Sequence, residues 1–303
     1  MENPTQPKKW YPPTNDYAFK CVFGNPQHLD ITAGFIRDFF GIDVEPAEVR
    51  LLSSASIGQT DPANLDAEGR RRLYHTMRDI TLEIIPAKIT IEMQVYSERS
   101  FIKRSFYYAS KLFADGYGSD PQAPSNYDSL KPVWSMNVLA HTRFEQDNLP
   151  YRVFTLRDEI TAEPLNGWQP IRMGFFEIPK QLRAIPIADD SLQARRIAWA
   201  KFLATGIAPD DAPDYIKAAE SIMVSINNNP EEAKMLDAME KGLKDEQSRL
   251  GWARYDGIQE GAKTRETEIA RNFLRAGAPI EMISEATGIP VAELLEMTAL
   301  TPA

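Results

Sequence analysis

Hydrophobic and polar residues alternate most regularly between Arg78 and Gln94, in the stretch RDITLEIIPAKITIEMQ. Isoleucine, leucine and methionine take every second position on either side of a short connection at Pro86. Successive side chains of a β-strand point to opposite faces of a sheet, so this alternation is typical of half-buried strands. The stretch therefore predicts a β-hairpin with one apolar face and one polar face.

The polar face of the predicted hairpin carries Asp79, Glu92 and Gln94. We expect the turn between Pro86 and Ala87. Asp79 would then pair with Gln94, and Glu92 would be its diagonal neighbour, roughly 7–8 Å away. Two carboxylates at that separation can bind one hard divalent cation through oxygen. Acidic residues are also ordinary on the solvent face of a hairpin, so the pattern alone leaves both interpretations open.

Hydrophobic periodicity predicts further elements on both sides of the hairpin. Residues 53–69 carry serine, glycine, proline and asparagine, which is typical of a loop. The expected elements are a first helix ended by Gly24, a second from Leu29 to Phe40 ended by Gly41, and strands in VWSMNVLA (133–140), VFTLRD (153–158) and RMGFFEI (172–178).

Residues 100–116, SFIKRSFYYASKLFADG, have the period of an amphipathic helix. Its hydrophobic stripe predicts one buried side, and Lys103, Arg104 and Lys111 are left to face outward or toward a substrate, together with Tyr107. For the tyrosines of this helix, we favour core packing with a hydrogen-bonded hydroxyl over contact with phosphate.

The composition changes after Pro186, where charged residues at helical spacing replace the strand patterns. Residues 186–303 are therefore expected to form a helical region, whose last part, IARNFLRAGAPIEMISEATGIPVAELLEM, has the spacing of a helix-turn-helix. A DNA-reading second helix would present Arg, Asn or Gln to base edges, but this one presents Glu293 and Glu296. We expect this segment to contact protein or to pack in a homo-oligomer, and we favour these roles over DNA reading.

The amino-acid composition limits which kinds of protein this chain can be. The chain has 303 residues, of which 43% are hydrophobic, so it can bury a sizeable core and has room for two domains. It contains no run of about 18 apolar residues and no apolar signal core at its N-terminus, so we expect a cytoplasmic protein without a membrane segment. The single cysteine, Cys21, excludes a disulfide within the chain and a cysteine-based zinc cluster.

The net charge of -9 restricts how this chain could bind nucleic acid, because phosphate binding depends on Lys and Arg that release counterions. Any DNA-binding surface must therefore be local. A cluster of basic residues can belong to such a surface, or it can simply be a charged face exposed to solvent. The basic residues that flank the hairpin are Arg70, Arg71 and Arg72 before it, and Arg99, Lys103, Arg104 and Lys111 after it.

Several motifs occur in an order that resembles one known family. Asp79 is followed on the next strand by Glu-x-Gln, and the flanking strings are TNDYAFKCVFG (14–24), FIKRSFYYASKLFADGY (101–117), LKPVWSMNVL (130–139), FTLRDE (154–159) and FFEIPK (175–180). This set resembles the Rpn family of recombination-promoting nucleases and putative transposases, in the PD-(D/E)xK nuclease superfamily, with Gln where the superfamily motif has Lys. The resemblance covers roughly residues 14–180, and a looser likeness extends through the C-terminal tail.

The resemblance implies an α/β fold with a restriction-endonuclease-like core, in which helices flank a mixed central sheet and a helical C-terminal region follows. Residues 1–185 would form the nuclease-like domain and residues 186–303 the helical region. The implied activity is Mg2+-dependent DNA endonuclease, with Mn2+ as another usable ion, in recombination or mobile-element biology.

The resemblance also implies roles for single residues. Asp79 and Glu92 would bind the metal with help from the backbone carbonyl of Met93, and Gln94 would orient the attacking water. Lys103, Arg104 and Lys111 are candidate accessory residues. Thr14, Asn15 or Asp16 can cap the first helix. Asp16 either acts as this cap or adds a carboxylate to the metal site, and for Asp16 we favour the cap.

A rival hypothesis comes from a different class of function. The acidic net charge and the two glutamates of the last helix favour a non-catalytic protein that keeps the nuclease fold and binds DNA or a protein partner. A metal-dependent nicking assay would separate the two hypotheses.

Overall fold

A computed structural model describes residues 9–53, 79–187 and 191–299 of the chain. The strands in these ranges are β1 (Arg50–Ser53), β2 (Asp79–Glu83), β3 (Lys88–Gln94), β4 (Val133–Leu139), β5 (Tyr151–Thr155) and β6 (Ile171–Glu177). The helices are α1 (Asp16–Phe23), α2 (Leu29–Phe40), α3 (Phe101–Ala114), α4 (Ile178–Arg183), α5 (Ser191–Thr205), α6 (Asp214–Asn228), α7 (Pro230–Arg275), α8 (Ile280–Thr287) and α9 (Val291–Ala299).

The strands form one mixed sheet in the order β1-β2-β3-β4-β6-β5. Strands β1, β2 and β3 are antiparallel to one another, whereas β3, β4 and β6 run parallel and β5 is antiparallel to β6. Helices cover both faces of this sheet. The expected α/β fold with a mixed central sheet and a helical C-terminal region is therefore confirmed.

The hairpin of β2 and β3 has a register different from the expected one. Hydrogen bonds join Ile84 to Ala87 in both directions, across a cis peptide bond between Ile85 and Pro86. The turn is therefore centred one residue earlier than expected, and Asp79 pairs with Glu92 instead of Gln94. The prediction that Asp79 and Glu92 are diagonal neighbours was wrong, because they are directly opposite each other.

One face of the sheet forms the main hydrophobic core. The isoleucines and leucine of the hairpin pack there with helices α1, α2, α5 and α6. Aromatic rings dominate the layer between these helices, and Trp199 lies 5.2 Å from Phe35 and 5.6 Å from Phe23 between ring centroids. Helices α5 and α6 thus belong to the same core as the sheet.

A buried carboxylate joins three of these core helices. Asp38 of α2 has no exposed surface, and it accepts hydrogen bonds from Arg195 Nε at 2.6 Å, Trp199 Nε1 at 2.9 Å and the Tyr215 hydroxyl at 2.7 Å. Arg195 and Trp199 lie on α5 and Tyr215 on α6, so a single side chain of α2 connects α5 and α6. We call these four residues the Asp38 cluster.

Gly34 makes the Asp38 cluster sterically feasible. A Cβ at this position would lie 2.5 Å from Cδ2 of Tyr215, which is closer than any normal carbon–carbon contact. The Tyr215 ring therefore lies directly against the backbone of α2. Only glycine at residue 34 leaves this ring enough space.

The second face of the sheet is covered by α3. Phe101, Ser105 and Ala109 are its buried residues, and Phe101 packs with Phe175 in a smaller core on this face. Tyr107 and Tyr108 do not join that core, since they are 62% and 50% exposed. Tyr107 faces outward, as its spacing with Lys103 and Lys111 predicts. The expectation that the tyrosines of this helix pack in the core was nevertheless wrong, because the buried side of α3 is narrow and consists of Phe101 and two small residues.

The chain divides into two compact units, residues 1–242 and 243–303. The second unit has its own small core of Ala270, Ile283, Ile289 and Leu294. Helices α8 and α9 lie where the helix-turn-helix pattern places them. The division into domains after residue 185 stays a prediction. Within the ranges that the structure describes, no helix is long and apolar enough to cross a membrane.

Candidate nuclease site

Glu92 lies at the middle of the candidate site, on the polar face of β3. It is 7% exposed, and its Cα is paired with Asp79 of β2 on one side and with Asn137 of β4 on the other. Directly opposite residues of an antiparallel pair have Cα atoms only roughly 4.5–5.5 Å apart. The register therefore brings Asp79 and Glu92 closer together than the diagonal arrangement would.

Arg104 of α3 contacts Glu92. Its Nη2 donates to Glu92 Oε1 at 3.0 Å and to Gln94 Oε1 at 3.0 Å, while its Nη1 donates to Glu98. Hydrogen bonds from a guanidinium to a carboxylate are stronger than neutral ones. The side chain is only 21% exposed, so Arg104 stabilises a partly buried polar site between α3 and β3.

Both ends of the Gln94 amide have hydrogen-bond partners. Nε2 donates to the backbone carbonyl of Tyr96 at 2.7 Å, and Oε1 accepts from Arg104. These bonds fix the orientation of the amide, and they leave one N–H and one lone pair for further contacts. Gln94 pairs with Leu139 of β4, not with Asp79 as predicted.

Small polar side chains support the site beneath α3. The Ser105 hydroxyl donates to Asn137 Oδ1 at 2.8 Å, and Asn137 Nδ2 donates to the Gly174 carbonyl at 3.0 Å. All three residues are buried. This network holds α3, which carries Arg104, against β4 and β6 with its buried polar groups satisfied.

Sequence reasoning missed Glu98 and the pair formed by Ser105 and Asn137. Glu98 lies in the connection before α3 and accepts from Nη1 of the Arg104 guanidinium, whereas Glu92 accepts from Nη2. The available signal was the polar pair on VWSMNVL, where Ser135 and Asn137 fall on the same face as Glu92. In an otherwise apolar strand, that spacing indicates a polar contact above it.

The remaining predicted residues do not all join this cluster. Asn15 caps α1 by accepting from the Tyr17 N–H, so the prediction that Asp16 is the cap was wrong; Asp16 is a buried first-turn residue. Lys103 and Lys111 are exposed on α3, and hydrogen bonding to Asp115 raises the pKa of Lys111.

Two further predictions concern Met93 and the basic group before the hairpin. The Met93 side chain is buried in the main core, and a metal-binding role for its carbonyl stays a prediction. Arg70, Arg71 and Arg72 lie outside the described residues.

The FFEIPK motif forms a separate polar cluster at the end of β6. Glu177 accepts from the backbone N–H groups of Arg143 and Phe144, and Lys180 lies 2.8 Å from its second oxygen. Lys180 also donates to the Phe144 carbonyl. Both charged side chains are almost fully buried, so this pair holds the connection that follows β4 in place.

A family model described as PD-(D/E)XK nuclease family transposase matches residues 13–253, which is more than half of the chain. The chain belongs to this family. The resemblance drawn from the motifs is thereby confirmed, and the family associates the chain with nuclease- and transposase-related function. No curated protein and no solved structure matches the chain.

Proposed function

We propose that this member of the PD-(D/E)XK family is a metal-dependent DNA endonuclease whose site contains Asp79, Glu92 and Gln94. The observation that supports this most directly is the pairing of Asp79 with Glu92 on two central strands. A buried carboxylate on a central strand is costly unless it has partners. Its place opposite a second acidic residue, in a chain of a nuclease family, favours a role in catalysis.

The donor groups present fit a hard divalent ion. Carboxylate and backbone carbonyl oxygens are the ligands that Mg2+ and Mn2+ take in proteins, and Asp79, Glu92 and the Met93 carbonyl would supply them. Such an ion, when bound, lowers the pKa of a coordinated water and neutralises charge on the phosphate.

The protein's own side chains would do the positioning. Gln94 has no useful protonation equilibrium, so it would orient the attacking water through its free lone pair and donate its free N–H to a phosphate oxygen. Arg104 would transfer part of its hydrogen bonding from Glu92 to the phosphate, where positive charge stabilises the transition state.

Plasmid nicking tests this proposal. Supercoiled DNA should be nicked with Mg2+ or Mn2+ and should stay intact with a chelator. Asp79→Asn and Glu92→Gln should each abolish nicking, because each removes a charged oxygen ligand while keeping the side-chain shape. Glu83→Gln is the matched control, since Glu83 lies on the same strand as Asp79 but pairs with Lys88 at the far end. Full nicking by a folded Glu92→Gln protein would contradict the assignment.

A second candidate function is a protein that keeps the fold and binds DNA or a partner without cutting. The net charge of -9 and the two glutamates of α9, Glu293 and Glu296, favour it. DNA binding without metal-dependent nicking would support this candidate.

For the C-terminal region we propose self-association. Helix α9 presents Glu293 and Glu296, which would repel DNA, and Leu295 on the same helix is 54% exposed. Deleting residues 264–303 should lower the number of subunits in the oligomer, obtained from the molar mass by light scattering. It should change the nicking rate per active site little. Loss of DNA binding with an unchanged number of subunits would instead assign the segment to DNA.

A further inference from the structure

Helix α3 exposes two neighbouring aromatic rings. Tyr107 and Tyr108 have ring centroids 5.4 Å apart at an interplanar angle of 68°. Both rings are at least half exposed, although large aromatic side chains normally bury most of their surface. Exposed aromatic surface of this kind often marks a binding site.

The position of these rings ties them to the candidate nuclease site. Tyr108 follows Arg104 by four residues, so the two side chains lie on one side of α3, and Arg104 contacts Glu92. Tyr107 lies four residues after Lys103 and four before Lys111, both of which are exposed. The rings are thus next to the acidic site and are flanked by positive charge.

We propose that Tyr107 and Tyr108 stack on unpaired bases of single-stranded DNA, with Lys103 and Lys111 at the neighbouring phosphates. We call these four residues the tyrosine surface. This inference rests on the proposed nuclease function and narrows its substrate to DNA that is single-stranded beside the cleavage site.

The charge of the chain favours a single strand over a duplex. Duplex binding depends largely on phosphate contacts, which a net charge of -9 weakens. Base stacking on aromatic rings adds affinity without any charge, but base faces are accessible only where the bases are unpaired. An acidic protein with exposed tyrosines beside its site is therefore better suited to unpaired bases.

The lysines of the tyrosine surface are available for phosphate. Lys103 is exposed, and Lys111 pairs with Asp115 at 3.0 Å on the same exposed side of the helix. Exposed ion pairs are weak, so phosphate can replace the Asp115 carboxylate. An apolar protein partner would gain nothing from these two charges, and this makes DNA the better-fitting occupant.

The test measures binding without cleavage. Fluorescence anisotropy compares a labelled oligothymidylate with a duplex of the same length, in a chelator, for the full-length protein. The wild type should bind the single strand at least about tenfold more tightly than the duplex. Tyr107→Ala and Tyr108→Ala should each weaken single-strand binding by about tenfold, the size expected for one base–aromatic contact, and should change duplex binding less than about threefold.

Matched variants separate stacking from structural damage. Tyr107→Phe and Tyr108→Phe keep the ring and should bind like the wild type. Phe106→Ala removes an exposed ring that lies two residues from Arg104, on another side of the helix, and should also leave binding unchanged. A 2-aminopurine base in the single strand should lose fluorescence on binding to the wild type and less on binding to either alanine variant. Circular dichroism checks that each variant is folded.

The outcomes distinguish this inference from the nuclease proposal. Single-strand binding that depends on the tyrosine rings, without metal-dependent nicking, would support the tyrosine surface and contradict the nuclease. Nicking together with unchanged single-strand binding by both alanine variants would overturn the tyrosine surface alone. Two results for the wild type would also overturn the tyrosine surface: no single-strand binding, or tighter binding to the duplex than to the single strand. Alanine variants that change only the oligomeric state would overturn it too, because the rings would then contact protein.

Discussion

Two carboxylates bound by arginine lie on opposite sides of the same sheet, and they differ in what surrounds them. Asp38 has no exposed surface, and it accepts from one arginine and from two neutral donors, Trp199 and Tyr215. Glu92 is slightly exposed, and its arginine also binds Gln94 and Glu98. Arginine–carboxylate contacts alone therefore do not distinguish a structural site from a functional one.

The difference lies in how the arginine that contacts each carboxylate is shared. The donors to Asp38 come from helices of the main core, and any change there leaves a buried group unsatisfied. The guanidinium near Glu92 is shared among three acceptors, so it can release one of them without losing all its partners. The first arrangement is suited to stability, and the second to exchange of ligands.

The largest expected effect compares matched amide substitutions in the two sites. Asp38→Asn should lower the free energy of unfolding by about 3–5 kcal/mol, because it leaves Arg195 without its buried charge partner and puts an amide N–H against other donors. Glu92→Gln should lower it by less than about 1 kcal/mol, since Arg104 keeps Glu98. Urea unfolding followed by circular dichroism measures both values. Equal losses would contradict the distinction between the two sites.

A smaller effect is expected at Gln94, within the second site. Gln94→Ala should slow single-turnover cleavage at saturating Mg2+ by about 10–100-fold, or roughly 1.4–2.7 kcal/mol, because the water loses its orienting group. Gln94→Lys should keep or raise the rate, since it adds positive charge beside the phosphate. Thr90→Ala is the control, because Thr90 lies on the same face of β3. A wild-type rate for Gln94→Ala would make Gln94 an ordinary polar residue of the strand.

The smallest effect concerns Arg104 and metal affinity. Arg104→Gln removes a positive charge that competes for Glu92, so Mn2+ should bind about three- to tenfold more tightly in isothermal titration. Cleavage at saturating metal should nevertheless fall, because the phosphate loses a cation. Arg99→Gln is the control, since Arg99 is exposed in the connection before α3. Weaker Mn2+ binding by Arg104→Gln would mean that Arg104 positions Glu92 and does not compete for it.

The hairpin shows how far the sequence predicts this structure. Alternation identified both strands and the face of each residue, but it placed Asp79 opposite Gln94 instead of Glu92. The expected and observed registers differ by two residues, and a shift of two keeps every side chain on the same face. Hydrophobic pattern therefore cannot distinguish them, and only the position of the turn does.

Interactions between distant parts of the chain could not be predicted from the sequence. Asp38 and its partner Tyr215 are separated by 177 residues, and neither lies in a recognisable motif. Periodicity predicts which face of a helix is buried, but it does not predict which buried polar groups meet. The resemblance gave Glu92 and Gln94, whereas the connection to Glu98 through Arg104 required the structure.

Gly34 limits the order in which this sequence can change over evolution. Alanine favours a helix over glycine by about 1 kcal/mol, so a Gly34→Ala substitution would ordinarily be accepted in α2. Here the added methyl group would meet the Tyr215 ring at 2.5 Å, and forcing extra volume into a packed core costs about 1–3 kcal/mol. Position 215 must therefore change to a smaller side chain before alanine becomes neutral at position 34. Tyr215 therefore restricts which residues position 34 can accept, even though the two positions are far apart in the chain.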